Sequence, residues 1–271
     1  MSDRSNRRGR RIAIRTPIPG GWVLALGVTV WLLFFGAWEG AVRAEAVNPL
    51  LVPSPFTVLN TLYELIVEGR FAKDIGISVM RVVVSFTGVC LLAIPLGILM
   101  GTFHAAESFF NPFVSAWRYL PAPSFIPILL MWLGTGEGPK LALLFIGVVF
   151  FLITLVMDYT RQVRIELIET ALTLGTSQWQ VLRTVIVPAV LPNVVVAMRQ
   201  MLAVSWTYLV IAEIVASSTG IGAMMMNARR FLHTDKIMAG ILVIGVLGLL
   251  FDLAFRWAHR LLFRYLYAHG R

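Results

Sequence analysis

Six apolar stretches without Asp, Glu, Lys or Arg limit the possible folds of the chain more than any other feature. Two of them, 200–212 and 237–251, are long enough to span a membrane only if Arg199 or Asp252 is tolerated near a helix end. A bilayer core ~30 Å thick is crossed by about 20 apolar helical residues, whereas buried strands give shorter apolar runs. The charge-free runs are 21–38, 82–106, 119–136, 141–157, 200–212 and 237–251. We therefore predict an all-α, polytopic membrane protein with about six transmembrane helices, at 22–42, 79–103, 117–133, 141–157, 194–212 and 237–255.

The composition excludes an ordinary soluble domain. Only 14% of the residues are charged, against about 25% in soluble proteins. The net charge of +9 would suit nucleic acid, but Lys and Arg also accumulate in the cytoplasmic segments of membrane proteins. We therefore predict no nucleic-acid partner.

The distribution of basic residues predicts the orientation. With both termini in the cytoplasm, 15 of the 23 Lys and Arg residues fall on the cytoplasmic side, as the positive-inside rule requires. We predict a basic cytoplasmic arm at 1–20, a transmembrane domain at 21–255 and a basic cytoplasmic tail at 256–271. The arm is too long and too basic for a signal peptide, and its charge indicates contact with membrane lipids.

The third predicted span is rich in proline, with Pro121, Pro123 and Pro127 within seven residues. Each proline removes a backbone donor, and broken backbone persists in a membrane only when it is buried in protein or faces water. We predict that this segment lines a pathway. The alternative is an entry loop, with the helix itself starting near Ile126.

A short amphipathic helix is predicted between the first two spans. Ser54 is a candidate N-cap, Pro55 suits the first turn and Gly69 ends the helix. Its apolar stripe lies either along the outer membrane surface or against the helix bundle. The stripe consists of Val58, Leu62, Leu65 and Ile66.

Residues 158–193 are polar but regularly patterned, and the charge rule places them in the cytoplasm. Gly175 suits a helix C-terminus that needs positive φ, and Ser177 with Gln180 has the spacing of a capping box. Pro188 and Pro192 are expected to limit the second helix. The pattern predicts a helix, a glycine turn and a second helix that project from the membrane.

This loop resembles the EAA loop of binding-protein-dependent ABC importer permeases. That loop has Glu-Ala-Ala, three residues, Gly, nine residues and then Ile-x-Leu-Pro. Glu169, Ala171, Gly175 and Pro188 match at the right spacing, while Thr170 replaces the second position. Valines replace the Ile and the Leu conservatively, at 185 and 187.

The resemblance covers roughly residues 50–255. The segments LVPSPFTVL, RYLPAPSFIPILLMWLGTGEGPK and SWTYLVIAEIVASSTGIG resemble the branch that serves nitrate, taurine, aliphatic sulfonates and bicarbonate. This implies a permease subunit in the bacterial inner membrane, a transport subunit rather than an enzyme, which alternates access to a small anion.

The resemblance also implies partners. Two ATPase subunits would bind ATP and Mg²⁺, a second permease copy would form a homodimer, and a periplasmic or lipid-anchored binding protein would deliver the solute. This chain would bind no cofactor itself. ATPase coupling would fall to Glu169, Ala171, Leu172, Gly175 and Pro188.

Charged residues inside a membrane are costly and are therefore candidates for function. An arginine can bind an anion through two parallel hydrogen bonds, but for each residue taken singly snorkelling or an interhelical ion pair is the favoured role. The four histidines lack metal-ligand spacing, and no catalytic constellation is visible. The candidate pathway residues are Arg81, Arg118, Pro121, Pro123, Arg199, Trp206, Tyr208 and Glu213.

Two other functions stay open at this point. A permease for another solute class would have a pathway without cationic residues. A secondary transporter or channel would need no ATPase, and a coupled carboxylate inside the membrane would favour it.

Overall fold

The computed structural model of the protein describes residues 18–267, and the described part is entirely helical. The predicted basic arm therefore lies almost wholly outside the described residues, as do the last four residues of the predicted tail. The helices are α1 Gly20–Arg43, α2 Pro55–Val67, α3 Arg70–Thr102, α4 His104–Arg118, α5 Ile126–Leu133, α6 Gly138–Arg161, α7 Ile165–Thr173, α8 Gln178–Val181, α9 Val187–Ala216, α10 Ile221–Arg230, α11 Thr234–Leu262 and α12 Arg264–Tyr267.

Five helical segments in the described part are long and apolar enough to cross a membrane. This confirms the all-α membrane fold and five of the predicted spans, most of them longer than expected. The third prediction, one helix over 117–133, is wrong. The five segments are Gly20–Arg43, Arg70–Thr102, Gly138–Arg161, Gln178–Ala216 and Thr234–Leu262.

Helices α3 and α6 run parallel and touch along most of their length. Ser85 Oγ donates to the Leu141 carbonyl at 2.9 Å. Further along α3, the site of a Cβ on Gly101 lies 2.5 Å from Thr160 Cβ. Early residues of α3 thus meet early residues of α6, and late residues meet late ones, so both helices end on the same side.

The chain must therefore return between these two helices, and it does so in a broken segment. At one end of α6, Glu107 of α4 pairs with Arg161. Halfway along α6, the Trp117 ring lies 5.6 Å from the Phe150 ring. The return from α3 to α6 thus consists of α4, an irregular stretch and α5.

Proline chemistry explains the break. Pro121 adopts an extended conformation, a 3₁₀ turn follows at Ala122–Phe125, and α5 begins at Ile126. A proline cannot donate the hydrogen bond that would continue α4 into α5. The alternative expectation, a helix that starts near Ile126, is confirmed.

Two further long helices complete the bundle. Helix α9 runs opposite to α6, since its Tyr208 ring packs on Gly147 in mid-helix and its later residues approach the start of α3. Helix α11 packs along α9, where the Trp206 and Phe251 rings lie 5.8 Å apart. It ends on the same side as α3 and α6, which we call the coupling end because α7 lies there; the opposite side is called the outer end.

Helix α2 has the predicted capping. The Thr57 amide donates to Ser54 Oγ at 3.1 Å, and Gly69 has φ +75°. The Thr61 hydroxyl donates to Asp235 of α11 at 2.9 Å, and Val58 and Leu65 are buried. The helix therefore packs on the outer end of the bundle, the second of the two expected placements.

Within residues 18–267, the part up to Thr57 and the part from Val58 onward form two separate compact units. In the first unit, the Trp38 indole donates to the Pro53 carbonyl at 3.1 Å and ties the following chain to α1. Arg43 pairs with Glu39 one turn earlier at 2.6 Å. The bundle of α3 to α11 belongs to the second unit.

We expect the Gly101→Ala variant to be less stable than the wild type. The added methyl group would lie 2.7 Å from the Met157 carbonyl oxygen, so α3 and α6 must separate. Overpacking of this kind costs about 1–3 kcal/mol, measurable as a lower unfolding midpoint in detergent.

Gly245→Ala is the matched control, because nothing lies within 4 Å of its Cβ position. Alanine has the higher helix propensity, so this variant should be unchanged or stabilised by up to ~1 kcal/mol. Equal midpoints for the two variants would contradict the close approach of α3 and α6.

Candidate coupling site and transport pathway

A helix, a glycine turn and a second helix form the coupling end, as the sequence predicts. Helix α7 ends at Thr173, and Gly175 has φ +84°. The Gly175 amide donates to the Leu172 carbonyl at 2.9 Å, and the Thr176 amide donates to the Ala171 carbonyl at 3.2 Å. These bonds satisfy carbonyls that a helix end leaves free.

The predicted capping box is also present. The Gln180 amide donates to Ser177 Oγ at 3.4 Å, and the Ser177 amide donates to Gln180 Oε1 at 3.0 Å. Because both side chains bond each other's backbone, α8 starts at a fixed position relative to the Gly175 turn.

The expectation that Pro188 and Pro192 limit the second helix is wrong. Helix α8 continues through a π-turn at Leu182–Ile186 into α9, which passes Pro192 and runs to Ala216. Pro188 lies directly after the π-turn and does not end the helix. The coupling loop is thus joined to a membrane helix without a break.

The two faces of α7 differ in burial. Ile168 and Ala171 are half-buried and pack against the core. Leu167 and Leu172 are 48% and 43% exposed, and Leu174 in the turn is 81% exposed. These leucines flank the half-buried stripe, and three exposed leucines within eight residues outside the membrane spans indicate a contact with another macromolecule.

Helix α7 rests on the ends of the bundle helices. A cavity of about 370 Å³ separates Ile168 and Leu172 from Phe103 and Thr160, at the ends of α3 and α6. The Trp179 ring lies 5.8 Å from the Phe103 ring. The loop therefore contacts the chain at the end of α3 and faces the end of α6 across the cavity.

Arg81 lies at the outer end and is fully buried. Its Nε donates to Glu137 Oε2 at 2.6 Å, and its Nη2 donates to Glu137 Oε1 at 2.7 Å. Its Nη1 donates to Glu213 Oε1, also at 2.7 Å. One guanidinium thus links α3, the start of α6 and the end of α9.

The same carboxylates have further donors. Glu213 accepts from Ser78 Oγ at 2.7 Å and from the Gly222 amide at 2.8 Å, and Lys140 Nζ donates to Glu137 at 2.9 Å. Gly220 has φ +105°, and a Cβ there would lie 2.3 Å from Glu213 Oε1. We call Arg81, Glu137, Lys140 and Glu213 the outer charge network.

Two of the predicted pathway residues, Arg81 and Glu213, therefore bond each other inside the bundle. Their geometry matches the interhelical ion pair that the sequence left open. Glu137 and Lys140 were missed, because GTGEGPK reads as a short outer turn. The sequence did offer a signal for them, because Glu137 and Lys140 lie directly between two apolar runs, 119–136 and 141–157.

The other pathway candidates lie elsewhere. Arg118 is half-buried at the end of α4, and its guanidinium lies 5.4 Å from the Tyr119 ring centre. Arg199 pairs with Asp252 of α11 at 3.1 Å, 14 residues and so roughly 21 Å along α9 from Glu213. The structure does not bring these residues together in one site.

The proline candidates and the aromatic candidates lie in different parts of the structure. Pro121 is exposed and Pro123 half-buried in the break between α4 and α5. Trp206 is buried between α9 and α11, and its indole N–H has no hydrogen-bond partner within residues 18–267. The Tyr208 ring instead packs on Gly147 of α6.

Comparison with known proteins assigns the family. Residues 93–265 match the model of the binding-protein-dependent transport system inner membrane component family. The chain belongs to this family.

Two relatives resemble the permease over nearly its whole length. The taurine transport system permease protein TauC of Escherichia coli K12 is 30% identical, over 93% of this chain and 92% of its own. A putative aliphatic sulfonates transport permease protein, SsuC of Bacillus subtilis 168, is 31% identical over 90% and 88%.

A solved structure shows the same fold. The permease aligns with a chain of the inward-facing MetNI methionine ABC transporter with a TM-score of 0.63 and 19% identity, over 70% of this chain and 95% of that one. The family and these neighbours confirm an inner-membrane transport subunit of the ABC importer type rather than an enzyme.

The outer charge network should make the stability of the permease depend on pH. Glu137 precedes the membrane-spanning part of α6, and hydrogen bonds from Arg81 lower its pKa from 4.5 to about 2. A carboxylate with a lowered folded-state pKa stabilises the fold above its ordinary pKa and loses this effect as pH falls. The unfolding midpoint of the wild type should exceed that of Glu137→Gln above pH 5, and the gap should close towards pH 2.

Glu64→Gln is the control, because Glu64 accepts only a hydrogen bond from the neutral Asn60 amide within the described residues. Its gap from the wild type should be small at every pH. A Glu137→Gln gap that stays constant from pH 7 to pH 2 would contradict the ion pairing.

Proposed function

We propose that this permease imports a small anion of the sulfonate, taurine or nitrate type by alternating access, driven by separate ATPase subunits. The solute class rests on the relatives named for taurine and aliphatic sulfonates, and on a nitrate import permease of Synechocystis, which is 27% identical over 84% of both chains. Bicarbonate, an anion of similar size, belongs to the same candidate set.

The observation that carries the coupling role is the surface of α7 and its glycine turn. Leu167, Leu172 and Leu174 are exposed there, and Glu169 stands beside them. An apolar patch with one acid fits a cleft of complementary shape and charge on another protein. Each ATPase subunit, with its ATP and Mg²⁺, would bind one such loop, so two permeases would take two ATPases.

The path of the chain supports transmission of movement. Helix α6 enters the loop at one side, and α8 leaves it as one helical piece with α9. Ala171 packs inward, Gly175 fixes the turn, and Pro188 begins the membrane helix. A displacement of the docked loop therefore reaches two membrane helices directly, and such contacts bias an equilibrium only when they differ between its two states.

The break between α4 and α5 supports a second permease copy. Tyr119, Leu120 and Pro121 are exposed there, although this stretch lies between two halves of a membrane crossing. Irregular backbone is not tolerated against lipid. A second copy, arranged as a homodimer with a water-filled pathway between the two breaks, would cover it.

Arg118 is the cation best placed to meet an anion in that pathway. It adjoins the break with Pro121 and Pro123, and no carboxylate pairs with it among residues 18–267. Arg81 and Arg199 are already held by Glu213 and Asp252. Trp206 and Tyr208 lie on α9, the helix that continues from the loop, and would border the pathway from that side. A substrate-binding protein would deliver the anion at the outer end.

The docking role is tested by co-purification of the tagged permease with its co-expressed ATPase. Glu169→Arg reverses the charge of an exposed residue in the patch without changing the core, so at least about tenfold less ATPase should be retained. Glu64→Arg makes the same change on α2 at the outer end and should retain the wild-type amount. Equal retention by both variants would show that α7 is not the main contact.

The solute class is tested in liposomes with the ATPase and the binding protein present. Taurine, an alkanesulfonate, nitrate or bicarbonate should stimulate ATP hydrolysis, while methionine should not. Arg118→Gln should reduce the stimulation by the effective anion several-fold, with ATPase retention unchanged. Stimulation by methionine alone would favour another solute class. ATP-independent uptake would favour a secondary transporter.

A further inference from the structure

A cluster of basic residues lies between α9 and α11 at the coupling end, outside the proposed pathway. It surrounds a cavity of about 200 Å³ that is lined by Arg199, Arg256, His259, Arg260 and Tyr267. We call this cavity the basic pocket. It is a concave site rather than a scatter of surface charges.

The charges of the basic pocket are unbalanced. Asp252 is the carboxylate that pairs with it: Arg199 Nε lies 3.1 Å from Oδ1, and Arg256 Nε donates to Oδ2 at 2.6 Å. Arg260 has no carboxylate partner within residues 18–267. Three guanidinium groups therefore face one carboxylate, an excess of two positive charges.

Among residues 18–267, most of the hydrogen-bonding capacity of these arginines has no acceptor. A guanidinium carries five N–H donors in a fixed fork, and the contacts with Asp252 engage only a few of those on Arg199 and Arg256. The remaining forks match the oxygen pairs of a phosphate or a similar oxyanion. The basic pocket therefore favours binding of an anion with several oxygens.

One side of the pocket is closed by a side-chain contact. His259 Nδ1 and the Tyr267 hydroxyl lie 3.0 Å apart, which holds α12 against the last turns of α11. The His259 ring also packs on Phe263 at 5.0 Å. The chain after α11 thus folds back to form a wall rather than leaving the membrane surface directly.

The surroundings of the pocket distinguish a lipid from a soluble anion. Trp257 on α11 is 68% exposed, and Leu262, Tyr265 and Leu266 nearby are all more than half exposed. Exposed Trp, Tyr and Leu beside arginines at the end of a membrane span are typical of the level where hydrocarbon meets headgroups. Acyl chains can cover these apolar side chains, whereas a free phosphate cannot.

We propose that the basic pocket binds the headgroup phosphate of an anionic phospholipid. The phosphodiester lies between Arg256 and Arg260, Arg199 approaches from α9, and the acyl chains run along the exposed face of α11. Bound in this way, the lipid holds α9 and α11 together at the coupling end. The proposal does not depend on the solute or on the ATPase contact.

The test uses the purified, delipidated permease and native mass spectrometry with phosphatidylglycerol or phosphatidylcholine of the same acyl chains. Wild type should retain phosphatidylglycerol in preference to phosphatidylcholine. Arg256→Gln with Arg260→Gln should weaken phosphatidylglycerol binding by at least about tenfold, since each basic residue near anionic lipid contributes appreciably.

Arg229→Gln with Arg230→Gln is the matched control, because these exposed arginines end α10 at the outer end and the net charge change is identical. Binding should then stay within about twofold of wild type. An equal loss of phosphatidylglycerol binding in both double variants would show that only the total charge matters, and the proposed site would be wrong.

Asp252→Asn provides a test that does not depend on removing arginines. It releases Arg199 and Arg256 from their shared carboxylate, so phosphatidylglycerol should bind more tightly. Weaker or unchanged binding in a folded variant would contradict the proposal.

Inorganic phosphate and glycerophosphoglycerol separate the two sources of the anion. Neither should displace phosphatidylglycerol at millimolar concentration, because neither supplies acyl chains for α11. Displacement by either compound would identify the pocket as a soluble-anion site, and the lipid assignment would be wrong.

Discussion

The parallel contact between α3 and α6 determines how the rest of the membrane domain can be arranged. Gly97 and Gly101 leave no room for a Cβ against Val156 and Thr160, so the two backbones approach closely. In a membrane there is no hydrophobic driving force between helices, so their association depends on close packing, which small residues allow. Two parallel neighbours end on one side, which requires both the broken return through Pro121 and a shared platform for the coupling loop.

Different interactions stabilise the two ends of the α3–α6 pair. At the outer end, Arg81 is buried and depends on two carboxylates, because an unpaired charge there would cost several kcal/mol, on the order of 3–5. At the coupling end, the loop meets this pair mainly through apolar side chains around a cavity, beneath Ile168. A charge network with directed hydrogen bonds resists displacement more than a loosely packed apolar layer does. Movement imposed at α7 would therefore be absorbed near the coupling end before the outer end separates.

Much of this fold follows from local sequence signals, whereas the exceptions depend on distant contacts. Apolar length identifies α3, α6, α9 and α11, and the Gly175 turn with the Ser177 cap is chemistry within a few residues. Glu137 could not be assigned, because its partner Arg81 is 56 residues away in the chain. The broken return was also hidden, since three prolines permit several conformations and the direction of α6 selects one. Likewise, Pro192 reads as a helix stop, yet neighbouring helices hold α9 in shape around it.

The π-turn at Leu182–Ile186 has a consequence for the evolution of the loop. A π-turn accommodates one more residue than an α-turn, so it shifts the angular phase of everything before it by about 100° relative to α9. The apolar face of α8 that meets Phe103 and the face of α9 that meets α6 are aligned only with that shift. The length of this joint is therefore fixed more strictly than its composition. Point substitutions can accumulate there, but the loss of one residue would rotate α7 and α8 by about 100° relative to α9.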